Sequence, residues 1–310
     1  MSLFHLNLRG LVVLSRWLLR VFLLIVFTVV TTFILSRIGA RGNALEIKGV
    51  GSGSDRSPSG DLIVGAYNIA HGRGGVVGAS NRRADGKAGL MVHLKAIGEE
   101  ILAQGLDIVV LNEIDFSSSW SWRVNQAEVI AKAAGLPFVL EQRNYDASLL
   151  IYRWEFGNAV LSRYPISEAA LIEYPAFKKV EPFFFGKKAA CVCKVATPDF
   201  DLRVVAVHLE VRDQANRQLS QEILRELEAA RPEQRFLIMG DFNSQVVFEG
   251  SERLTSAGGL GRTFPSAAPD RRIDWIFSGP NLELGEEQVF GGRLSDHLGL
   301  RARVLGAANR

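Results

Sequence analysis

The stretch Phe236-Leu237-Ile238-Met239-Gly240-Asp241-Phe242-Asn243-Ser244 (residues 236–244) decides how the rest of the chain is interpreted. Its first four residues are apolar and short enough to predict a buried strand. The apolar run stops at Gly240, and an acid, an aromatic, an amide and a hydroxyl follow at once. Such a strand end lifts a carboxylate and a carboxamide off a sheet edge, where catalytic groups commonly lie. The alternative is an ordinary turn in which both polar side chains cap the backbone.

The same pattern, a short apolar strand followed by a polar residue of catalytic type, recurs along the chain. Five predicted strand ends present Asn68, Glu113, His208, Asp241 with Asn243, and Asp296 with His297, and a sixth strand carries Asp274. Strands outnumber helices, which helical spacing predicts over residues 90–102, 124–134 and 216–230. The pattern predicts one α+β domain of two packed sheets flanked by helices, with one polar, acidic and imidazole-bearing rim.

Composition limits the classes of function. A chain of 310 residues can bury a sizeable core. Residues 1–60 carry a net charge of +5 and residues 61–310 a net charge of −2, so the folded part lacks a global nucleic-acid charge signature. Cys191 and Cys193 are too few for a disulfide framework, and their spacing predicts that both lie on one buried strand face.

The N-terminus is predicted to be a single-pass membrane anchor, with residues 1–40 forming the tail and the transmembrane helix. Trp17 to Leu35 is almost wholly apolar and about 28 Å long as a helix, close to the thickness of a hydrocarbon core. The arginines before it, Arg9, Arg16 and Arg20, favour a cytoplasmic N-terminus and an extracytoplasmic catalytic domain. A cleaved signal peptide is the alternative, although residues 36–40 make a poor cleavage site.

Two further segments complete the predicted organisation. Residues 41–60 are rich in Gly and Ser and are predicted to be a flexible linker that keeps the domain near the bilayer. Residues 61–310 are predicted to form the catalytic domain.

Seven short blocks occur in a fixed order between Leu62 and Val304. Their sequences and spacing resemble the motifs of the endonuclease/exonuclease/phosphatase (DNase I-like) superfamily of metal-dependent phosphoesterases. The resemblance implies a four-layer, two-sheet sandwich flanked by helices, preceded here by the N-terminal helix. The blocks are Tyr67-Asn68-Ile69, Leu111-Asn112-Glu113, residues 157–165, Val207-His208-Leu209, Gly240-Asp241-Phe242-Asn243, Ile273-Asp274-Trp275-Ile276 and Ser295-Asp296-His297.

The resemblance also implies roles for the residues at the predicted rim. Those assigned to a metal, Mg²⁺ with Mn²⁺ as an alternative, are Glu113, Asn68 and Asp296. Those assigned to catalysis are His208, Asp241, Asn243, Asp274 and His297. In these roles Asp241 positions or deprotonates the attacking water and Asn243 orients Asp241 and the phosphate. The two histidines hydrogen-bond the phosphate oxygens, and Asp274 fixes the tautomer of His297.

Some residues near the motifs have two interpretations. Arg82 and Arg83 either grip the phosphate of a substrate or belong to a solvated loop. Asn158 either faces the substrate at the rim or is satisfied within its strand. His71 follows the first motif and is predicted to be a solvent-exposed loop residue.

The substrate class stays open at this level. A phosphodiester in nucleic acid, a phospholipid headgroup and a small phosphorylated metabolite are the alternatives, and a binding module on the same fold is the non-enzyme alternative. No clear match exists to the active-site tyrosine of the DNA-repair members, which counts against an abasic-site nuclease. No protein partner is predicted.

A loop over residues 174–188 interleaves five aromatic residues with four lysines. This composition predicts contact with a membrane or a lipid substrate, since aromatic residues beside lysines suit the headgroup region. The alternatives are that the phenylalanines pack into the sheet, or that the loop binds nucleic acid by stacking.

Overall fold

The structure is a computed structural model that describes residues 8–40, 44–51, 62–176, 188–259 and 261–305. Two mixed sheets, with the helices on their outer faces, make up the domain that follows the first helix. The helices are α1 (Leu8–Ala40), α2 (Gly86–Ala103), α3 (Gln126–Ala134) and α4 (Gln214–Ala229). The first sheet contains, in spatial order, β1 (Leu45–Gly49), β4 (Phe138–Leu149), β5 (Tyr152–Ser162), β3 (Ile108–Asp115), β2 (Leu62–Asn68), β13 (Gly299–Leu305) and β12 (Glu283–Phe290). The second contains β10 (Thr255–Ser256), β11 (Asp274–Ser278), β9 (Arg235–Asp241), β8 (Asp201–His208), β7 (Ala189–Ala196) and β6 (Ile166–Glu173).

Each sheet has a parallel pair near its centre. In the first sheet β2 runs parallel to β3, and in the second β8 runs parallel to β9. Because parallel neighbours end at the same edge, Asn68 and Asn112 lie side by side, as do His208 and Asp241. The other strand pairs within both sheets are antiparallel.

Three apolar clusters hold the layers together. Alternate residues of β9 point to opposite faces, so that Leu237 and Met239 pack between the two sheets while Phe236 and Ile238 pack outward near Leu224 of α4. On the other side, α2 and α3 cover the outer face of the first sheet. Burial on both faces explains why β9 is a continuous apolar run, and the predicted four-layer fold is confirmed.

The two cysteines lie where their spacing predicts. Cys191 and Cys193 are free thiols on β7, and both are fully buried in the core between the sheets. Burial raises the pKa of the Cys191 thiol to about 12 and raises that of Cys193 as well. Both side chains are therefore inert core residues in the folded protein.

The predicted linker over residues 41–60 needs correction at its start. Leu45–Gly49 form strand β1 at the edge of the first sheet, paired with β4, and residues 52–60 lie outside the described residues. Charged side chains fix this edge, since Lys48 Nζ lies 3.0 Å from Glu141 Oε1 and Arg143 Nη2 lies 2.7 Å from Glu46 Oε2. The sheet therefore recruits a segment that precedes residue 61.

Helix α1 contains one segment, Leu11–Arg37, that is long and apolar enough to cross a membrane. The end of this helix contacts the domain rather than standing apart from it. Ser36 Oγ lies 3.1 Å from both the backbone nitrogen and the carbonyl oxygen of Ser148, and Arg37 donates to the carbonyl oxygen of Asp146. Strand β4 is thus tied directly to the last turns of α1.

Candidate active site

The carboxyl ends of β2, β3, β8 and β9 bring their polar residues to one rim. Gly240 makes the close approach of β9 to β8 possible, because it has a φ of +136° and a Cβ there would lie 2.0 Å from the carbonyl oxygen of Val207. Only glycine fits this position without strain. The glycine that ends the apolar run thus places Asp241 beside the end of β8.

Asp241 is held in place by three hydrogen bonds, two accepted by its carboxylate and one donated by its backbone nitrogen. Asn68 Nδ2 donates to its Oδ2 at 3.0 Å, and the backbone nitrogen of Asn243 donates to its Oδ1 at 2.8 Å. The backbone nitrogen of Asp241 in turn donates to Asn112 Oδ1 at 3.0 Å. Burial, with the negative charge of Asp274, raises the pKa of Asp241 to about 6. A fixed carboxyl with a pKa near neutrality suits a general base.

His297 lies between two acids. Its Nδ1 is 2.9 Å from Asp274 Oδ2, and its Nε2 is 4.0 Å from Asp241 Oδ2. Burial acts to lower the pKa of His297, but the charges of Asp274 and Asp241 outweigh it and raise that pKa to about 10. A protonated imidazole, oriented by Asp274 as the resemblance implies, therefore faces the rim.

His208 has a cationic neighbour instead. Lys188 Nζ lies 2.9 Å from His208 Nε2 and donates to the carbonyl oxygen of Leu209 at 2.7 Å. Burial and the positive charge of Lys188 lower the pKa of His208 well below its ordinary value. The neutral His208 ring can accept the Lys188 hydrogen bond at Nε2, and its Nε2 lies 3.7 Å from Asp241 Oδ2.

Glu113 lies at an irregularity in β3. The register with β5 shifts between Asn112 and Ile114, and Glu113 has a φ of +50°. Non-glycine residues held in this region store strain that is common at functional sites. Burial acts to raise the pKa of Glu113, but His71 and the other cations nearby outweigh it and lower that pKa to about 2. The low pKa keeps the carboxylate charged. The side chain is 26% exposed, so the carboxylate is also accessible.

Arg73 marks a position for a cation between two of the predicted metal ligands. Its Nη2 lies 2.9 Å from Asp296 Oδ2 and 3.8 Å from Glu113 Oε2. One or two carboxylates are sufficient protein ligands for Mg²⁺, which keeps several waters. The donor chemistry of Glu113 and Asp296 therefore fits a divalent cation. The third predicted ligand, Asn68, is used differently, since its Nδ2 donates to Asp241 and its Oδ1 accepts from the backbone nitrogen of Ala70 at 3.0 Å.

A second group among the described residues has metal-ligand spacing. Donor atoms of Asp241, Asp274 and His297 lie within 4.8 Å of one another, and all three residues are buried. The raised pKa of His297 favours a protonated imidazole, whose positive charge partly offsets the charge of the two carboxylates. Glu113 and Asp296, which both contact Arg73 Nη2, are a second set of candidate metal ligands.

The three predicted substrate-binding residues have contacts of their own within the protein. Asn158 is fully buried, where its Oδ1 accepts from Asn112 Nδ2 at 2.8 Å and its Nδ2 donates to Gln142 Oε1 at 2.6 Å. Both polar groups of Asn158 thus have partners in the sheet, as one of the two interpretations expects, and its contact with substrate stays a prediction. Arg83 pairs with Asp85 at 2.7 Å, and Arg82 is exposed, with its guanidinium 5.3 Å from the Trp122 ring.

Four residues at the site lack a predicted role, namely His71, Arg73, Asn112 and Lys188. His71 is buried rather than solvent-exposed as predicted, and its Nδ1 lies 3.0 Å from Asp115 Oδ1. His71 and Arg73 follow Asn68 within five residues, and this closeness to the first motif is the signal that could have found them. Lys188 has no such signal, since it directly precedes β7 and is distant in sequence from the motif that contains His208.

The loop predicted over residues 174–188 is only described at its ends. Tyr174 is buried in the core that lies against α4, and Lys188 contacts His208 rather than solvent. Residues 177–187 lie outside the described residues, and the predicted membrane contact of this loop falls mainly on them.

Comparison with known proteins decides the family. The model of the "Endonuclease/Exonuclease/phosphatase family" matches residues 65–297. The chain belongs to this family. No match was found among curated proteins.

Solved structures of low sequence identity share the fold of this family member. An endonuclease/exonuclease/phosphatase from Beutenbergia cavernae DSM 12333 is 21% identical, with a TM-score of 0.56 over 79% of this chain and 71% of that one. The mannosyl-6-phosphatase of Bacteroides thetaiotaomicron VPI-5482 is 16% identical, with a TM-score of 0.58 over 79% and 100% of the two chains. Truncated TDP2 of Caenorhabditis elegans is 14% identical, with a TM-score of 0.55 over 79% and 98%.

Proposed function

We propose that this chain is a membrane-anchored, Mg²⁺-dependent phosphoesterase that hydrolyses a phosphodiester by in-line attack of an activated water. The observation that carries the proposal is the convergence at one rim of a buried carboxyl, two imidazoles and a charged, accessible glutamate. Family membership supports the reaction class. The fit of Glu113 and Asp296 around a cation position supports the metal.

Each side chain has a role that follows from its hydrogen bonds. Asp241, fixed by Asn68 and Asn243, would accept a proton from the attacking water as the new P–O bond forms. The opposite P–O bond would break with its electron pair going to the leaving oxygen, which then takes up a proton from solvent. The protonated His297 would donate a hydrogen bond to a phosphoryl oxygen, with Asp274 holding the ring in place. Lys188, beside His208, would add positive charge to the same side of the phosphate.

Glu113 and Asp296 would hold the divalent cation. When bound, such a cation supplies positive charge that lowers the pKa of water and offsets the charge developing on phosphoryl oxygens. Arg73 lies against both carboxylates and would stabilise them whenever the cation has left.

The test is a hydrolysis panel with the full chain in detergent or in nanodiscs. Substrates are bis-p-nitrophenyl phosphate, plasmid DNA, RNA, sphingomyelin and phosphoinositides, each with Mg²⁺, Mn²⁺ or EDTA. We expect diester hydrolysis that stops in EDTA and returns with added Mg²⁺. Undiminished activity in EDTA would contradict the metal role, and binding without hydrolysis of any substrate would favour a binding module.

A phospholipid headgroup is the alternative substrate. The hydrogen bonds between α1 and β4 favour it, because they hold the catalytic domain beside the anchor. Faster hydrolysis of the lipid substrates than of DNA or RNA in the panel would select this alternative.

The membrane anchor is tested separately. In bacteria we expect the full chain to remain in the membrane after a carbonate wash, since Leu11–Arg37 is long and apolar enough to span the hydrocarbon core. A variant with Leu23→Arg and Val26→Arg should be released, because each central charge opposes insertion by about 3 kcal/mol, whereas Arg20→Lys should stay membrane-bound. A reporter fused after Arg310 should behave as periplasmic. Recovery of a soluble form that begins near residue 41 would favour a cleaved signal peptide instead.

A further inference from the structure

The turn between β4 and β5 exposes an unusual apolar surface. Leu150, Ile151 and Tyr152 are 66%, 76% and 56% exposed, and they follow one another in sequence. Among the described residues of the catalytic domain, no other three consecutive large apolar side chains are all this exposed. We refer to residues 149–154 as the hairpin tip. Exposed apolar surfaces of this kind commonly mark sites that contact a membrane or another protein.

The hairpin tip belongs to an arm that extends past the catalytic rim. Strand β3 ends at Asp115, which lies opposite Phe156 of β5. Strands β4 and β5 remain paired beyond that point, from Tyr145 opposite Phe156 to Leu149 opposite Tyr152. Five residues of strand carry the tip about 16 Å beyond the end of β3. The tip therefore projects on the side of the molecule to which the ends of β2 and β3 point.

The same arm contacts helix α1. Arg37 donates to the carbonyl oxygen of Asp146 and lies 4.6 Å from the ring centroid of Tyr145, while Ser36 hydrogen-bonds to Ser148. Partial burial of α1 continues at Phe33, Thr32 and Val29, and β4 is the main element that α1 contacts. The arm thus runs along the last turns of α1, with its tip nearest the apolar part of the helix.

The chemistry of the tip matches the boundary of a bilayer. Tyr152 and Trp154 stack with ring centroids 6.3 Å apart, and aromatic rings of this kind are enriched at headgroup level. Two arginines flank the apolar residues, since Arg123 donates to the carbonyl oxygen of Ile151 at 2.9 Å and Arg153 lies 2.7 Å from Glu155. Apolar and aromatic side chains bordered by cations suit the region between acyl chains and anionic headgroups.

We propose that the hairpin tip inserts into the bilayer surface beside α1 and holds the catalytic rim towards the membrane. This proposal rests on the proposed anchoring by α1. Ser148 lies beside Ser36, and the chain continues for about 10 Å from Ser148 to Ile151, so the tip lies at the depth of interfacial insertion when Ser36 is at the headgroups. The anchor and the tip together form two attachment points. Two points of attachment restrict how the domain can rotate above the membrane, whereas one helix alone does not.

The test uses the full chain in vesicles that contain anionic lipid, with an environment-sensitive nitrobenzoxadiazole probe on Ile151→Cys. Cys191 and Cys193 need no replacement, because both are fully buried. The matched control is Leu102→Cys, which is 40% exposed at the end of α2 that leads into the start of β3, opposite the rim. We expect the probe at residue 151 to emit at shorter wavelength and to be quenched by spin-labelled lipid, and the probe at residue 102 to resemble a probe in water.

A second variant separates insertion from incidental proximity. With Leu150→Ser and Ile151→Ser together, a probe on Tyr152→Cys should lose most of its lipid quenching, while thermal stability stays unchanged because both side chains are exposed. Unchanged quenching would overturn the proposal.

The outcomes also separate this proposal from the anchor. Protein that does not float with vesicles would overturn the anchor and the insertion with it. Floating protein with a water-like probe at residue 151 would overturn the insertion alone. A probe that is shielded from water but not quenched by lipid would show a protein contact at the tip, and would overturn the proposal too. None of these readouts depends on hydrolysis, so a failure of the proposed activity remains distinguishable.

Discussion

Replacing Asp241 by Asn is expected to lower kcat by at least about a hundredfold, the usual scale for a lost general base. The carboxyl is buried at the end of β9, and its pKa of about 6 lets it be deprotonated at neutral pH and still accept a proton. An amide cannot accept that proton. The measurement is the steady-state rate with bis-p-nitrophenyl phosphate and saturating Mg²⁺, at a temperature well below the melting of each variant.

The matched control is Asp201→Asn, because it makes the same chemical change on the neighbouring strand. Asp201 begins β8, at the opposite end from His208, and its 61% exposed side chain pairs with Lys194. We expect its rate to equal that of the unaltered protein, since an exposed ion pair contributes little. Activity in Asp241→Asn that equals the control would remove Asp241 from the mechanism.

The fold was predictable because its central strands follow a simple rule. Strands β2, β3, β8 and β9 each contain an apolar run that is buried on both faces and is followed by a polar residue. Parallel pairing then brings Asn68 next to Asn112 and His208 next to Asp241. The order of the motifs, rather than any single motif, carries this information.

The peripheral strands were less predictable, because their patterns are mixed. In β1, Leu45 and Ile47 alternate with Glu46 and Lys48, but the Gly- and Ser-rich surroundings dominate the composition of the segment. Strand β4 mixes polar and apolar residues and carries Arg143, whose contacts with Glu141 and Glu155 are visible only in the folded protein. Local composition does not record which distant strand a segment will pair with.

The cations of the site show the same limit. Lys188 belongs to a lysine-rich stretch, and its contact with His208 depends on the pairing of β7 with β8. Arg73 comes after the motif of β2 and reaches Asp296, which is 223 positions further along the chain. Motifs identify the ends of strands, whereas these long side chains are brought to the rim by loops and by tertiary packing.

Replacing Glu113 by Gln is expected to remove most of the stabilisation that a divalent metal gives the folded protein. Glu113 is charged, with its pKa lowered to about 2, and its carboxylate faces the cation position next to Asp296. A ligand that binds only the folded state stabilises it by about 2.7 kcal/mol at a hundredfold excess over its dissociation constant. For a domain of this size that corresponds to a rise in Tm of about 5 to 10 °C.

The measurement is the thermal melting of the full chain in detergent with EDTA, Mg²⁺ or Mn²⁺, without any substrate. We expect the metal-dependent rise in the unaltered protein, and almost none in Glu113→Gln. The control is Glu222→Gln on α4, whose 59% exposed side chain pairs with Arg225 far from the predicted metal ligands in sequence, and which should keep the full rise. Glutamine has nearly the same size as glutamate, so Glu113→Gln changes the charge and not the packing. The melting temperature in EDTA therefore measures the lost attraction to His71 and Arg73, separately from any loss of metal binding. An equal metal-dependent rise in both variants would mean that the cation binds elsewhere, and Asp241 with Asp274 and His297 would then be the group to test.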